Sequence, residues 1–336
     1  MFQSYNVVRK RAKPGRRMNM NNKVNAQIDR MKEQTIGVEV EMNGISRRRA
    51  SEIAAEYFGG RYEFSAYRNG YDTWSAYDAQ GREWKFMKDV SIQSTDDYKK
   101  CELVTPILKY EDIETLQELL RRLRKHGARS HAGIGCGVHI HIGAQGHTPQ
   151  TIRNLANIMA GHEDLIGEAI KIDNYRKNQY CKVTNPEFIK QLNAKKPKTM
   201  AELAQVWYST NYGGNAQYAV NEHYNCSRYH MLNLHATFTK GTIEFRLFQF
   251  DKPEENKRNG IHAGQLKAYI QLCLAMSQMA RDVKTASPKQ QQHENPKFAM
   301  RTWLNRLGMI GDEFKTAREF LTKNLTGNAA WRHKVA

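Results

Sequence analysis

Three separated stretches of the chain alternate between apolar residues and residues with chemistry, and this alternation constrains the fold more than any other feature. They cover residues 35–42, 137–142 and 242–248. Successive side chains of a β-strand point to opposite faces, so Glu39 and Glu41 share one face while Ile36, Val38 and Val40 share the other. His139 and His141 stand in the same way against Val138, Ile140 and Ile142, and Thr242, Glu244 and Arg246 against Ile243, Phe245 and Leu247. A single sheet built from these strands would collect three carboxylates, two imidazoles and a guanidinium on one face. The opposite, apolar face could pack on helices. Such a polar face has the composition of a divalent-metal and phosphate site.

Helix and turn signals surround these strands. Residues 46–58 read as a helix closed by Gly59-Gly60, which suits a helix C-terminus. Short aromatic strands follow at 71–77 and 83–87, joined by a turn at 78–81. A strand at 102–108 leads into a helix with Ile113, Leu116, Leu120 and Leu123 at helical spacing, ending near Gly127. Thr148-Pro149 is an N-cap and first-turn pair that opens a long helix. Residues 231–239 and 241–250 read as a hairpin turning at Lys240-Gly241, and 261–281 as a helix. The stretch 185–220 mixes Lys-rich helix signals with Gly213-Gly214 and reads as an insertion or lid. Two amphipathic helices near 298–307 and 312–324 complete the chain.

Antiparallel pairing with interspersed helices predicts an α+β fold, a curved antiparallel sheet with helices on its outer face. At 336 residues and 40% apolar content the chain can bury a substantial core. The net charge of +18 is uneven, since residues 1–25 hold seven Lys or Arg and no acid. A polar basic arm of this kind is expected to lack fixed structure and is suited to contact nucleic acid or another polyanion. The expected divisions are this arm (1–30), a catalytic domain (31–285) and a helical extension (286–336). No apolar run approaches the roughly 20 residues of a bilayer span, and no apolar segment follows the N-terminal basic residues, so a cytoplasmic protein is expected. Five cysteines without CxxC spacing argue for reduced thiols rather than a disulfide framework or zinc ribbon.

Singly, each polar pair is weak, because exposed Glu-x-Glu strands are common and most histidines are structural. Their conjunction on three strands favours a site. A carboxylate-dominated set with few nitrogens suits Mg²⁺ or Mn²⁺ better than zinc. No GxxxxGK[ST] loop is present, and the glycine-rich 133–137 segment precedes a strand instead of opening a helix.

An ordered series of short motifs then resembles the amidoligase family of carboxylate–amine ligases, related to glutamine synthetase and glutamate–cysteine ligase. The series runs Gly37-Val38-Glu39-Val40-Glu41, Asp89-Val90-Ser91, Glu102-Leu103-Val104-Thr105-Pro106, Cys136-Gly137-Val138-His139-Ile140-His141, Arg228-Tyr229 with Leu232-Asn233-Leu234, and Thr242-Ile243-Glu244-Phe245-Arg246. The resemblance implies a glutamine-synthetase-like fold. It also implies an enzyme that uses ATP to phosphorylate a carboxylate and lets an amine displace the phosphate, forming an amide or isopeptide bond on an amino acid or peptide. By the same resemblance Glu41 and Glu102 hold one metal ion, and Glu39, His139 and Glu244 a second. His141 touches phosphate, and Arg246 stabilises the transferring phosphoryl group. Asp89, Ser91 and Arg228 face nucleotide or substrate. Arg176 is a candidate for bidentate pairing with a substrate carboxylate. One departure stands out: the Phe-Asn-Gly expected after the Glu-x-Arg strand is interrupted by a charged insert, residues 251–258, before Asn259-Gly260.

Two other readings compete. A metal-dependent oxygenase or hydrolase could use His139 and His141, although no carboxylate follows within the next four residues, 142–145. A non-catalytic polyanion-binding protein would make the basic arm its function. Neither the oligomeric state nor the individual substrates follow from the sequence.

Overall fold

The computed structural model describes residues 14–65, 70–212, 214–253 and 259–330. In chain order the helices and strands are α1 (Pro14–Lys32), β1 (Ile36–Met42), α2 (Arg47–Phe58), β2 (Tyr62–Phe64), β3 (Trp74–Tyr77), β4 (Glu83–Met87), β5 (Cys101–Val104), α3 (Ile113–Lys125), β6 (Val138–Gly143), α4 (Pro149–Ala169), α5 (Asn174–Gln179), α6 (Pro186–Lys195), α7 (Met200–Asn211), α8 (Ala216–Ala219), β7 (Leu232–Asn233), α9 (His235–Thr239), β8 (Thr242–Phe248), α10 (Ala263–Asp282), α11 (Pro296–Arg306) and α12 (Lys315–Thr322).

The strands form one sheet in the order β2-β3-β4-β5-β1-β6-β8-β7, antiparallel at each pairing. The three alternating stretches thus meet side by side as β1, β6 and β8. Their apolar residues, with Trp84, Phe86, Cys101 and Leu103 of β4 and β5, are fully buried against the helices. Each large side chain buried in this way contributes about 1.5–3 kcal/mol. α2 packs on β2, β3 and β4, and α10 packs on β6 with α1, α3, α4 and α12 around it. Fifteen of the twenty residues of α10 are buried, as suits a helix in the middle of a helical layer. The predicted caps are present: Ser46 Oγ accepts from Arg49 N, Gly59 ends α2 at φ 65°, and Thr148 Oγ1 accepts from Thr151 N ahead of Pro149.

Several expectations need correction. A helix, α1, runs through residues 14–30, where the basic arm was expected to lack structure; residues 1–13 lie outside the described residues. Its C-terminal end is anchored by buried Met31, by Gln27 Nε2 donating to Leu307 O at 3.1 Å, and by Arg30 pairing with Asp282 at 3.0 Å. Those anchors follow the Arg/Lys cluster, so the composition of the arm hid them. The expected hairpin at 231–250 is shortened, because the chain turns into α9 where Asn233 Oδ1 accepts from His235 N at 2.9 Å. Only Leu232 and Asn233 pair with β8. The strand expected at 102–108 ends at Val104, two residues before Pro106, and β2 was not foreseen.

Residues 185–220 form α6, α7 and α8. α6 is tied to α4 by reciprocal Asn157–Asn193 hydrogen bonds of 2.9 and 2.8 Å, and Trp207 Nε1 of α7 donates to Ser227 Oγ at 3.1 Å. These helices therefore buttress the 222–229 segment. The helices of the C-terminal stretch add Met300, Trp303, Leu304 and Leu321 to the same apolar core. Of the charged insert, residues 254–258 lie outside the described residues. Asn259-Gly260 after it is left-handed, and a Cβ on Gly260 would lie 2.0 Å from Ser130 O.

Candidate metal and phosphate site

The sheet face opposite the helices carries the polar residues, and the register decides which of them meet. Glu39 lies beside His139 and Val104, Glu41 beside Glu102, and His141 beside Glu244. Asn233 of the edge strand also lies beside Glu244. The β6–β8 pairing slips by one residue, with Ile140 opposite Phe245 but Val138 opposite Phe248. This bulge falls next to Arg246, and bulges of this kind re-aim side chains beside active sites.

The groups crowd closely. His139 Nδ1 is 3.0 Å from Glu39 Oε2 and 3.9 Å from Glu244 Oε1, while its Nε2 is 3.8 Å from Glu41 Oε1. His141 Nε2 is 3.3 Å from Glu39 Oε1 and 3.9 Å from Glu244 Oε2. His141 Nδ1 bonds Thr242 Oγ1 at 2.9 Å, yet Nε2 is buried without an aligned hydrogen-bond partner. Glu244 is held from two sides, by Arg246 Nη1 at 2.5 Å and Asn233 Nδ2 at 2.7 Å. Gly137 N donates to Glu41 Oε2 at 2.6 Å. Glycine is required there, because a Cβ would sit 2.1 Å from Arg176 Nη1.

Burial and mutual charge set the protonation of the cluster. Burial would raise Glu39, but His141 and His139 outweigh it and hold the carboxyl well below its usual range. Glu244 is likewise pushed up by burial and down by Arg246 and His141, settling at about 2. Glu102 goes the other way: burial and then the charges of Glu39, Glu41 and Asp89 drive it well above the ordinary carboxylate range. His141 is lowered by burial yet raised overall by Glu244 and Glu39. A carboxylate forced toward its neutral form by other carboxylates marks a place where positive charge is missing.

Three overlapping groups have ligand atoms within 4.8 Å of one another: Glu41, Asp89 and Glu102; Glu39, Glu102 and His139; and Glu39, His141 and Glu244. Hard oxygen donors with at most one imidazole in each group, and the excess negative charge, fit Mg²⁺ or Mn²⁺. The cluster floors a groove of about 1300 Å³ whose walls include Lys85, Asp89, Ser91, Tyr180, Tyr224, Arg228, Tyr229 and Lys240.

All the residues singled out from the sequence reach this groove except His141, which lies in the floor beside it. Asp89, expected to face nucleotide or substrate, lines the groove and also stands with Glu41 and Glu102, its Oδ1 held by Ser91 N at 2.7 Å and Ser91 Oγ at 2.6 Å. Arg176 is buried rather than free to swing, its Nη2 donating to Arg246 O and Phe248 O at 3.1 and 3.3 Å. Arg228 lies between the rings of Tyr224 and Tyr229. The sequence reading missed Asn233 and Thr242 as supports, Lys240, whose Nζ is 3.7 Å from Glu39 Oε1, and the tyrosines of the wall. Alternation already sets Thr242 on the polar face with Glu244 and Arg246, but its bond to His141 depends on strand pairing; the tyrosines follow no period.

No helix among the described residues is long and apolar enough to cross a membrane. No curated protein matches the chain. Among solved structures it is similar to a bifunctional glutathione synthetase from Pasteurella multocida, at 11% identity and a TM-score of 0.43, with 90% of this chain and 48% of that one covered. The chain thus spans about half of that protein. The family model described as "Putative amidoligase enzyme" matches residues 32–277. That span contains every candidate from Glu39 to Arg246, and the chain belongs to this amidoligase family.

Proposed function

We propose that the protein is an ATP-dependent carboxylate–amine ligase with a glutamine-synthetase-like site, working through an acyl phosphate. The observation that carries this reading is the carboxylate cluster under the groove, which lacks the positive charge to balance it and has Arg246 at its edge. Glu41, Asp89 and Glu102 on one side, and Glu39, His141 and Glu244 on the other, would hold Mg²⁺ or Mn²⁺ ions, with His139 between them. Bound there, such ions neutralise both the carboxylates and a polyphosphate.

In the reaction a substrate carboxylate oxygen bonds to the γ-phosphorus as the bond to the β,γ-bridging oxygen breaks, releasing ADP. The amine then bonds to the acyl carbon as the phosphate leaves with a proton lost from nitrogen. Arg246, anchored on Glu244, is placed to stabilise charge on the transferring group. Asn233 and Thr242 fix the orientations of Glu244 and His141. Arg228 and Lys240 supply positive charge for the anionic reactants. A groove of about 1300 Å³ exceeds the usual span of small-ligand sites, roughly 300–1,000 Å³, and has room for more than one reactant.

The oxygenase or hydrolase alternative fits less well, because five carboxylates outnumber the two histidines in the cluster and favour hard ions. The arm-centred alternative rests largely on residues 1–13, which lie outside the described residues. ADP release measured over a panel of amino acids, polyamines and acidic peptides tests the ligase reading. Dependence on Mg²⁺ or Mn²⁺ and on both a carboxylate and an amine is expected; ATP affinity unchanged by excess chelator overturns the metal assignment.

A further inference from the structure

We propose that the tyrosine-lined rim of the groove is a docking track for an extended acidic peptide, one of whose side-chain carboxylates enters the metal cluster. The fate of that carboxylate rests on the ligase reading; the binding does not.

The track is a ladder of rings. Tyr175 and Tyr180 are 6.0 Å apart at 75°, and Tyr180 and Tyr229 are 6.2 Å apart at 67°. The Arg228 guanidinium lies 4.9 Å from the Tyr229 ring and 4.7 Å from that of Tyr224. Tyr180, Tyr229 and Tyr224 line the groove, whereas Tyr175 carries the ladder outward and is 60% exposed. At its inner end the Tyr229 ring is 5.8 Å from the guanidinium of Arg246, which bonds Glu244. A ligand touching both Tyr175 and the metal cluster must therefore span three successive side-chain steps, beyond the reach of a free amino acid.

The spacing and tilt select the ligand class. Side chains on one face of an extended chain recur at about 6.6 Å, twice the rise of about 3.3 Å per residue, close to the ring-to-ring steps. Rings packed nearly edge to face present no parallel plates, which disfavours successive stacked bases. Tyrosine and arginine also dominate protein-recognition surfaces.

The charge selects the peptide's composition. Arg228 donates from Nη2 to the Tyr229 hydroxyl at 3.0 Å, but its buried Nε has no hydrogen-bond partner. Among the described residues no carboxylate pairs with it. Lys240, which lines the same groove, adds a second cation. Carboxylate side chains projecting from an extended backbone meet both demands, for the repeat and for anions.

Fluorescence anisotropy of a labelled six-residue glutamate peptide, measured on the full chain with Mg²⁺ and without nucleotide, tests the proposal. Tyr175→Ser and Arg228→Gln are each expected to weaken binding about tenfold, and Tyr175→Ser, at an exposed position, should leave the thermal midpoint unchanged. The matching glutamine peptide and free glutamate should compete at least about tenfold less well. Equal binding of the glutamine peptide, unchanged affinity in Tyr175→Ser, or displacement by an equal concentration of single-stranded oligonucleotide overturns the track. Peptide binding without ADP release would overturn the ligase reading alone, and ADP release on free glutamate without peptide binding would overturn the track alone.

Discussion

Two polar clusters share this sheet and differ in one respect. Around Arg82 the accounting closes. Asp78 Oδ2 receives Arg82 Nε at 2.8 Å and Trp84 Nε1 at 3.0 Å, and its Oδ1 receives the backbone N–H groups of Gln80 and Arg82. Asp112 takes both terminal nitrogens of Arg82, at 2.8 and 2.9 Å. Trp84 and Arg82 overcome burial to hold Asp78 below its usual range, and Arg82 does the same for Asp112. Around Glu39 the accounting does not close: of Glu39, Glu41, Asp89, Glu102 and Glu244, Glu244 takes a hydrogen bond from an arginine, Arg246, while Arg176 and Lys240 stand off at 3.9 Å from Glu41 and 3.7 Å from Glu39. The same residue types thus make a self-sufficient structural knot in one place and an incomplete site in the other.

Substitution should separate the two clusters sharply. Glu41→Ala is expected to lower turnover on the order of 10³-fold or more while leaving the thermal midpoint unchanged or raised, since it relieves like-charge repulsion. Arg82→Ala should do the reverse, costing about 1–3 kcal/mol of stability by stranding two aspartates and sparing turnover per folded molecule. Paired melting curves and ADP release read both. Loss of stability and activity together in Glu41→Ala would make the site a second structural knot.

Arg246→Lys sharpens the comparison within the site. A planar guanidinium can hold Glu244 and a phosphoryl oxygen together, which a compact ammonium does less well. Turnover should fall on the order of 10²-fold, with ATP affinity little changed. Single-turnover ADP formation by the variant checks this, and wild-type turnover would reduce Arg246 to a strand partner of Glu244.

Much of the site was legible because strand alternation is rigid. Once Glu39, Glu41, His139, His141, Glu244 and Arg246 were assigned to strands, their common face followed from period alone. Neighbour relations were not legible, because register depends on which strands pair and where β8 bulges. That is why the grouping of Asp89, on an irregular loop, with Glu41 and Glu102 does not show in the sequence. The same limit hid the anchors of α1 and the burial of Arg176 under Gly137, each fixed by contacts between residues far apart in the chain. The helical layer was readable from caps and apolar spacing, whereas β2 and β7, of three and two residues, carry too few side chains to show a period.

Metal removal probes the same difference through stability. An ion present at about 100 times its dissociation constant stabilises the folded state by about 2.7 kcal/mol. Wild type and Arg82→Ala should gain a comparable increment from Mg²⁺, and Glu41→Ala most of it lost. Thermal midpoints with Mg²⁺ and with chelator measure this, and an increment retained in Glu41→Ala would remove that residue from the metal set.

Glu163 supplies a third kind of buried carboxylate, with neither a cation network nor a place in the groove. It lies in α4, and its Oε2 accepts from Thr184 N and Thr184 Oγ1, both at 2.8 Å. Burial outweighs these bonds and pushes its pKa up to about 7, from 4.5 for the unperturbed group. A group whose folded-state pKa is raised holds its proton more tightly when folded, so its contribution is fully present below about pH 4.5 and is lost as pH rises toward 7. Stability should therefore decline by on the order of 1–2 kcal/mol between about pH 5 and 8. Glu163→Gln, which keeps the acceptor oxygen without the charge, should flatten that slope while leaving the Mg²⁺ increment intact. Denaturant melts at several pH values read the slope directly, and an unchanged slope in the variant would move the titrating group back to the metal cluster, where Glu102 is the other carboxyl raised by burial.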